Sequence, residues 1–184
     1  KNLLFMQTDP AKFDRLKDRW KSLTDTLFEA GEKPLRFLRY YIFATFGVTK
    51  IREDELYNWF VKNETLVGFA SDPIAFVDRL QDALGAYLNF LKGRGRDGKA
   101  SPAVEAISIL AGGATRQHLI LLLAGRDLPG EVFDALCSDT EALLFTYLIT
   151  RQTNREFEVM FPEWAPGLAA ISSIDEYQQF ADRT

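Results

Sequence analysis

Two apolar runs constrain this chain more than anything else in it: Leu119-Ile120-Leu121-Leu122-Leu123-Ala124 and Ala142-Leu143-Leu144-Phe145-Thr146-Tyr147-Leu148-Ile149. Neither alternates apolar with polar residues, as a half-buried strand would. A helix that is apolar on every side is buried on every side. Both runs are therefore expected as central helices within the stretch Thr115–Phe161, with the remaining elements packed around them.

The rest of the chain is punctuated for helices. Asp9-Pro10, Ser71-Asp72-Pro73 and Ser101-Pro102 each place a capping side chain before a proline, which pre-sets φ where no amide partner is needed. Behind the first of them, Phe13, Leu16, Trp20, Leu23 and Leu27 repeat at three- and four-residue steps, and Gly31 closes the helix. Pro34 opens an aromatic-rich helix that stops at Gly47. A short helix follows Glu53-Asp54, and Asn63–Ala70 reads as a loop. Ile74, Val77, Leu80, Leu84, Tyr87, Leu88 and Leu91 mark a long amphipathic helix to about residue 92. Pro129 opens a short helix through Leu136, and Ser138-Asp139-Thr140-Glu141 has the form of a capping box for the second central helix. Thr153-Asn154-Arg155-Glu156 and Ser173-Ile174-Asp175-Glu176 repeat that form, while Pro162 and Pro166 are expected to interrupt the helix between them. No strand pattern competes. The expectation is an all-α fold, a single compact bundle of about eight or nine helices, with sequence neighbours packed antiparallel across short loops.

A chain of 184 residues, 47% hydrophobic, lies within the size of one domain, residues 1–184, and can bury a sizeable core. The net charge of −4 argues against a dedicated nucleic-acid binder. Residues 131–184 carry ten acidic and three basic side chains, so any polyanion contact is expected in the first two-thirds. The single cysteine, Cys137, excludes an internal disulfide framework and a multi-cysteine zinc site, which fits a cytoplasmic setting. No apolar run approaches the roughly 18–20 residues that cross a bilayer, and no membrane partner is expected. The chain opens on Lys1-Asn2-Leu3 without an initiator Met and so reads as a piece of something longer.

Chemistry-bearing residues are sparse. Gly93-Arg94-Gly95-Arg96-Asp97-Gly98-Lys99 is a glycine-rich basic loop, too irregular for a phosphate loop because it lacks the Gly-x-x-x-x-Gly-Lys-Ser/Thr spacing and a preceding strand. With Arg36 and Arg39, three apart on one helix, Arg94, Arg96 and Lys99 are the candidate phosphate contacts; solvated edges and an exposed turn are the structural alternative. His118 is the only histidine, and neither a base partner nor further metal ligands accompany it in sequence, so no metal site and no catalytic residue is assigned. An enzyme would need His118, Glu141 and Arg151 to meet in one pocket.

Four segments carry a family likeness: Phe37-Leu38-Arg39-Tyr40-Tyr41; Asp72-Pro73-Ile74-Ala75-Phe76; Arg116-Gln117-His118 with the Leu119–Ala124 run; and Tyr147-Leu148-Ile149-Thr150-Arg151 with Arg155-Glu156-Phe157-Glu158. Together they resemble the GmrSD-type restriction endonuclease N-terminal-domain family, in its helical portion behind the catalytic core. The resemblance implies a cytoplasmic prokaryotic protein of phage defence, in which nucleotide hydrolysis gates cleavage of modified DNA. The family's Asp-Gly-Gln-Gln-Arg motif and its HNH-type nuclease motif are absent from these 184 residues. A nucleotide is thus expected only in the parent protein, with no cofactor in this piece. Arg116, His118, Arg151, Arg155 and Glu156 match the family pattern without a role.

The expected function is accordingly a non-catalytic helical scaffold or connector. Its expected partners are the parent's other domains, a second copy of itself in a homodimer, and DNA. The alternative is a DNA-binding module built on the basic loop.

Overall fold

The computed structural model describes Leu4 and residues 9–113, 115–151 and 155–184. The fold is all-α: among the described residues there are ten α-helices, two short 3-10 turns and no strand beyond one isolated Arg94–Ala100 bridge. The helices are α1 (Phe13–Glu29), α2 (Pro34–Phe46), α3 (Leu56–Lys62), α4 (Glu64–Val67), α5 (Pro73–Leu91), α6 (Pro102–Ala111), α7 (His118–Ala124), α8 (Gly130–Thr150), α9 (Phe157–Leu168) and α10 (Ile174–Ala181). Asn63–Ala70, expected as a loop, contains the single turn α4, which Gly68 ends in the left-handed region at φ 81°. Contacts divide the chain into two units, Lys1–Arg39 with Ile51–Leu84, and Tyr40–Lys50 with Gly85–Thr184.

In the first unit the expected caps form. The Asp9 carboxylate accepts the Ala11 amide at 2.9 Å, and Asp72 accepts the Ala75 amide at 3.0 Å, which holds the Asp72 carboxyl below its ordinary range. Helix α1 buries Leu16, Leu23 and Leu27 and leaves Phe13 partly exposed. It is tied to α5 by the Arg19–Asp78 ion pair and by Gln81, whose amide donates to the Arg19 carbonyl at 3.1 Å. Phe76 meets Phe60 edge-on at 6.0 Å and Phe69 at 5.9 Å. Arg79 donates to the Val67 carbonyl at 2.8 Å and so closes the turn behind α4.

In the second unit, pairing departs from the expected neighbour-to-neighbour order. The main contacts join α6 to α8, α7 to α9 and α8 to α10, and α7 touches α8 less extensively. The reason lies in α7. His118 through Leu123 are all buried, so six consecutive residues without an exposed side need packing on more than one flank.

Three boundary expectations are corrected. Helix α8 runs unbroken from Gly130 to Thr150, so Ser138-Asp139-Thr140-Glu141 is not a cap. Thr140 is buried and its hydroxyl donates back to the Leu136 carbonyl at 2.7 Å, which satisfies it within a continuing helix. Cys137 then lies mid-helix and buried, its thiol pushed up to about 12 by burial. Helix α9 continues through Pro162 and Pro166. Each proline forgoes one backbone bond, and burial of Phe157, Phe161, Pro162, Ala165 and Leu168 along one helix outweighs that loss. Finally, Glu156 is the N-cap of α9 and makes no side-chain cap bond; Thr153 and Asn154 of the proposed box lie outside the described residues. The Ser173 cap does form, with the Glu176 amide donating to the Ser173 hydroxyl at 3.3 Å.

Gly93 provides a test of close packing in this unit. Its φ is +68°, and an added Cβ would stand 3.0 Å from the Glu105 Cα, a backbone atom that cannot rotate away. Gly113 has a similar φ of +77° with nothing within 4 Å. Gly113→Ala should cost about 1 kcal/mol from the left-handed backbone alone. Gly93→Ala should cost about 1–2 kcal/mol more, read as a lower urea midpoint at unchanged slope. Equal costs would show that helix α6 gives way freely.

Candidate functional site

The residues singled out in the sequence are distributed over both units. Arg36 and Arg39 belong to the first, where each is engaged by its own fold. Arg36 lies 3.9 Å from the Glu32 carboxylate one turn away, and Arg39 donates through Nε to the Ile51 carbonyl at 2.8 Å. Arg39 thereby ties α2 to the segment that leads into α3.

The basic loop belongs to the second unit and is a structured turn. The Gly95 amide donates to the Lys99 carbonyl and the Gly98 amide to the Gly95 carbonyl, both at 2.9 Å, and Asn89 donates to the Arg96 carbonyl at 2.9 Å. Two of its cations, Arg96 and Lys99, are matched by acids close at hand. Arg96 pairs with Asp127 and also reaches the Arg126 carbonyl at 3.4 Å. Lys99 pairs with Asp97 at 2.7 Å; that hydrogen bond raises the ammonium and lowers the carboxyl from their ordinary values. Arg94 turns to the Gly98 carbonyl at 3.5 Å. Cations that already face carboxylates, as Arg96 and Lys99 do, release fewer counterions on meeting a phosphate backbone, and that release drives such binding.

The family-pattern residues and Glu141 do not form a catalytic group. His118 opens α7 and is almost fully buried, and its Nδ1 has no hydrogen-bond partner among the described residues. Burial, and secondarily the charge of Arg116, push its pKa down to about 3, so the ring is neutral. Arg116 is half-buried just ahead of it. Arg151 is exposed and caps α8 in the left-handed region at φ 56°, the only non-glycine residue with positive φ among the described residues. Arg155 is exposed. Glu156 accepts a hydrogen bond from the Tyr147 hydroxyl at 2.6 Å, which tethers the start of α9 to α8. Glu141 is half-exposed on α8. None of His118, Glu141 and Arg151 lines the 380 Å³ pocket between α7, α8, α9 and α10; there the Tyr177 hydroxyl donates to Asp139 at 2.8 Å beside Trp164 and Phe180. The first unit has a 240 Å³ pocket of apolar side chains, among them Leu4, Trp20, Phe60 and Phe76. Among the described residues no three His, Cys, Asp or Glu side chains are grouped to hold a metal. No described helix is long and apolar enough to cross a membrane.

The second central run corrects an expectation from the sequence. The run Ala142–Ile149 is not buried on every side: Leu144 is, but Phe145 is 51% exposed and Leu148 and Ile149 are each 61% exposed. Residues 136, 137, 140 and 144 share one side of α8 and form its buried face. Residues 141, 145, 148 and 149 recur at three- and four-residue steps along an adjoining stripe that turns away from it. The run is uniformly apolar, so its spacing gives no signal of which side is covered. Val159 on α9 adds a further apolar side chain, 56% exposed.

Among the described residues, fold and surface define an all-α protein with exposed apolar side chains on one helix and a basic loop in which Arg96 and Lys99 are paired with acids. Comparison with known proteins finds no matching family model, no matching curated protein and no matching solved structure.

Proposed function

We propose that this chain is a non-catalytic helical scaffold, a connector that engages other protein surfaces. The observation that carries the reading is the exposed Phe145, Leu148 and Ile149 on one face of α8, since grouped, exposed apolar side chains mark contact sites. The placement of the titratable groups supports it: His118 is sealed in the core, Cys137 is buried, and Arg96 and Lys99 of the loop face carboxylates. The sequence likeness to GmrSD-type restriction proteins suggests the setting. In that setting the piece is cytoplasmic and lies beside domains that hydrolyse nucleotide and cut modified DNA, and those domains hold the nucleotide.

The second reading, a DNA-binding module, rests on the exposure of Arg94, Arg96 and Lys99. Fluorescence anisotropy with labelled duplex DNA at low and near-physiological salt separates the two. The scaffold should show no binding at either salt, and an Arg94→Ala, Arg96→Ala, Lys99→Ala variant should behave identically. Binding that weakens with salt and disappears in the variant would overturn the scaffold reading.

A further inference from the structure

We infer that the 380 Å³ pocket between α7, α8, α9 and α10 takes a small organic cation, a protonated amine carried on an apolar body. The inference goes beyond the scaffold reading and does not depend on it. At 380 Å³ the pocket falls within the roughly 300–1,000 Å³ of small-molecule sites, whereas the 240 Å³ pocket of the first unit falls below it. Its walls are mostly apolar. Met160 and Trp164 come from α9, and Phe180 comes from α10. The Phe180 ring lies so close to α9 that a Cβ added at Gly167 would stand 2.6 Å from it, and its centroid is 6.2 Å from that of Tyr177.

The polar groups of the pocket decide the charge of its occupant. The Tyr177 hydroxyl, on a side chain only 3% exposed, donates to Asp139 at 2.8 Å. The Thr140 hydroxyl donates to the Leu136 carbonyl at 2.7 Å, and the Thr184 hydroxyl to the Phe180 carbonyl at 3.3 Å. All three protons are thus engaged, while each oxygen keeps capacity to accept. The carboxylates of Asp139 and Asp182 also line the pocket, and neither has a cationic partner among the described residues. Asp182 stands at the C-terminal end of α10, where the helix dipole adds partial negative charge. No Lys, Arg or His side chain lines the pocket; Arg183, next in sequence, donates to the Gln179 carbonyl at 2.7 Å on its own helix. Among the lining side chains, the Trp164 indole N–H is the one donor left.

A pocket of acceptors suits a ligand that brings donors. A primary ammonium group brings three of them together with a positive charge, and its bonds to carboxylates are charge-assisted. The aromatic walls attract the same cation through their ring faces and pack against its apolar body. An anion would face two carboxylates with one indole to hold it. A neutral molecule of the same shape would keep the packing and lose the charge.

Isothermal titration calorimetry of the full chain at pH 7 and low salt tests this with 2-phenylethylamine, 2-phenylethanol and 3-phenylpropionate, which share a ring and differ in charge. The amine should bind with a sub-millimolar Kd, the alcohol about tenfold more weakly, and the acid should give no heat up to about 10 mM. Methylamine, which keeps the charge and lacks the ring, should also bind about tenfold more weakly than 2-phenylethylamine. Asp139→Asn retains an oxygen to accept the Tyr177 proton, and Asp182 is exposed, so circular dichroism should stay unchanged in Asp139→Asn and Asp182→Asn. Each substitution should weaken the amine about fivefold and leave the alcohol within about twofold. An amine that fails to bind, an acid or methylamine that binds as well as 2-phenylethylamine, or an affinity unchanged in both variants would each overturn the assignment. The scaffold reading is tested separately by the DNA titration, so loss of the amine site would leave it standing.

Discussion

Between pH 6.5 and about 4.5 the folded chain should lose stability at up to about 1.4 kcal/mol per pH unit. The cause is His118, buried as the first residue of α7 and held neutral with a pKa of about 3, against about 6.5 for a solvated imidazole. The sign follows from proton binding. Below pH 6.5 the unfolded chain binds a proton at His118 and the folded chain does not, so acid favours unfolding. The contribution of the neutral ring is fully present above pH 6.5 and is lost as pH falls toward 3. Asp72, Asp97 and Glu176, whose carboxyls are held below their ordinary values by hydrogen bonds, lose their smaller share only at lower pH, from about 4.5 downward. The window above that is therefore diagnostic for the histidine. Urea titrations at half-unit steps would read the slope, and His118→Gln, which cannot titrate, should flatten it. The same slope in wild type and variant would assign the acid sensitivity to other groups.

Phe161→Ala should be the most damaging single truncation, at about 3–5 kcal/mol. The ring is fully buried, stacks on Phe157 with centroids 4.7 Å apart and planes 11° from parallel, and touches Trp164 at 5.7 Å. Loss of those aromatic contacts adds about 0.5–1.5 kcal/mol to the loss of buried area. The site is also poorly placed to collapse, because Pro162 and Pro166 stiffen the helix on which it lies. Val159→Ala, two residues away and 56% exposed, should change stability by less than about 0.5 kcal/mol. The comparison is made by the urea midpoint at constant slope. A Phe161→Ala cost under about 1 kcal/mol would mean that the aromatic row along α9 is loosely packed.

Much of the fold was legible wherever a local rule acts alone. The Asp9, Asp72 and Ser101 caps hold the amides their sequence positions announced, and left-handed glycines stand at Gly31 and Gly47 where helices stop. The buried stripe Leu16, Leu23 and Leu27 and the wholly buried run of α7 follow from spacing and apolarity. The candidate site was legible only as a set of names. Sequence identified Arg94, Arg96 and Lys99 as cations but could not place Asp127, thirty-one residues from Arg96, beside them. It flagged His118 without revealing how completely the ring is sealed.

What the sequence alone determined was therefore the all-α class, most helix starts and stops, and the identity of the inner helix α7, because each depends on residues within a few turns of one another. Tertiary structure decided the rest. Ser138-Asp139-Thr140-Glu141 has the form of a cap, yet the chain stays helical through it because burial of Leu136, Cys137, Thr140 and Leu144 on one face outweighs the local preference. Two prolines fail to end α9 for the same reason. Whether an apolar run is core or surface depends on which neighbours arrive to cover it: α7 is enclosed, while a stripe of α8 is left to water or to a partner, and no local spacing encodes that difference.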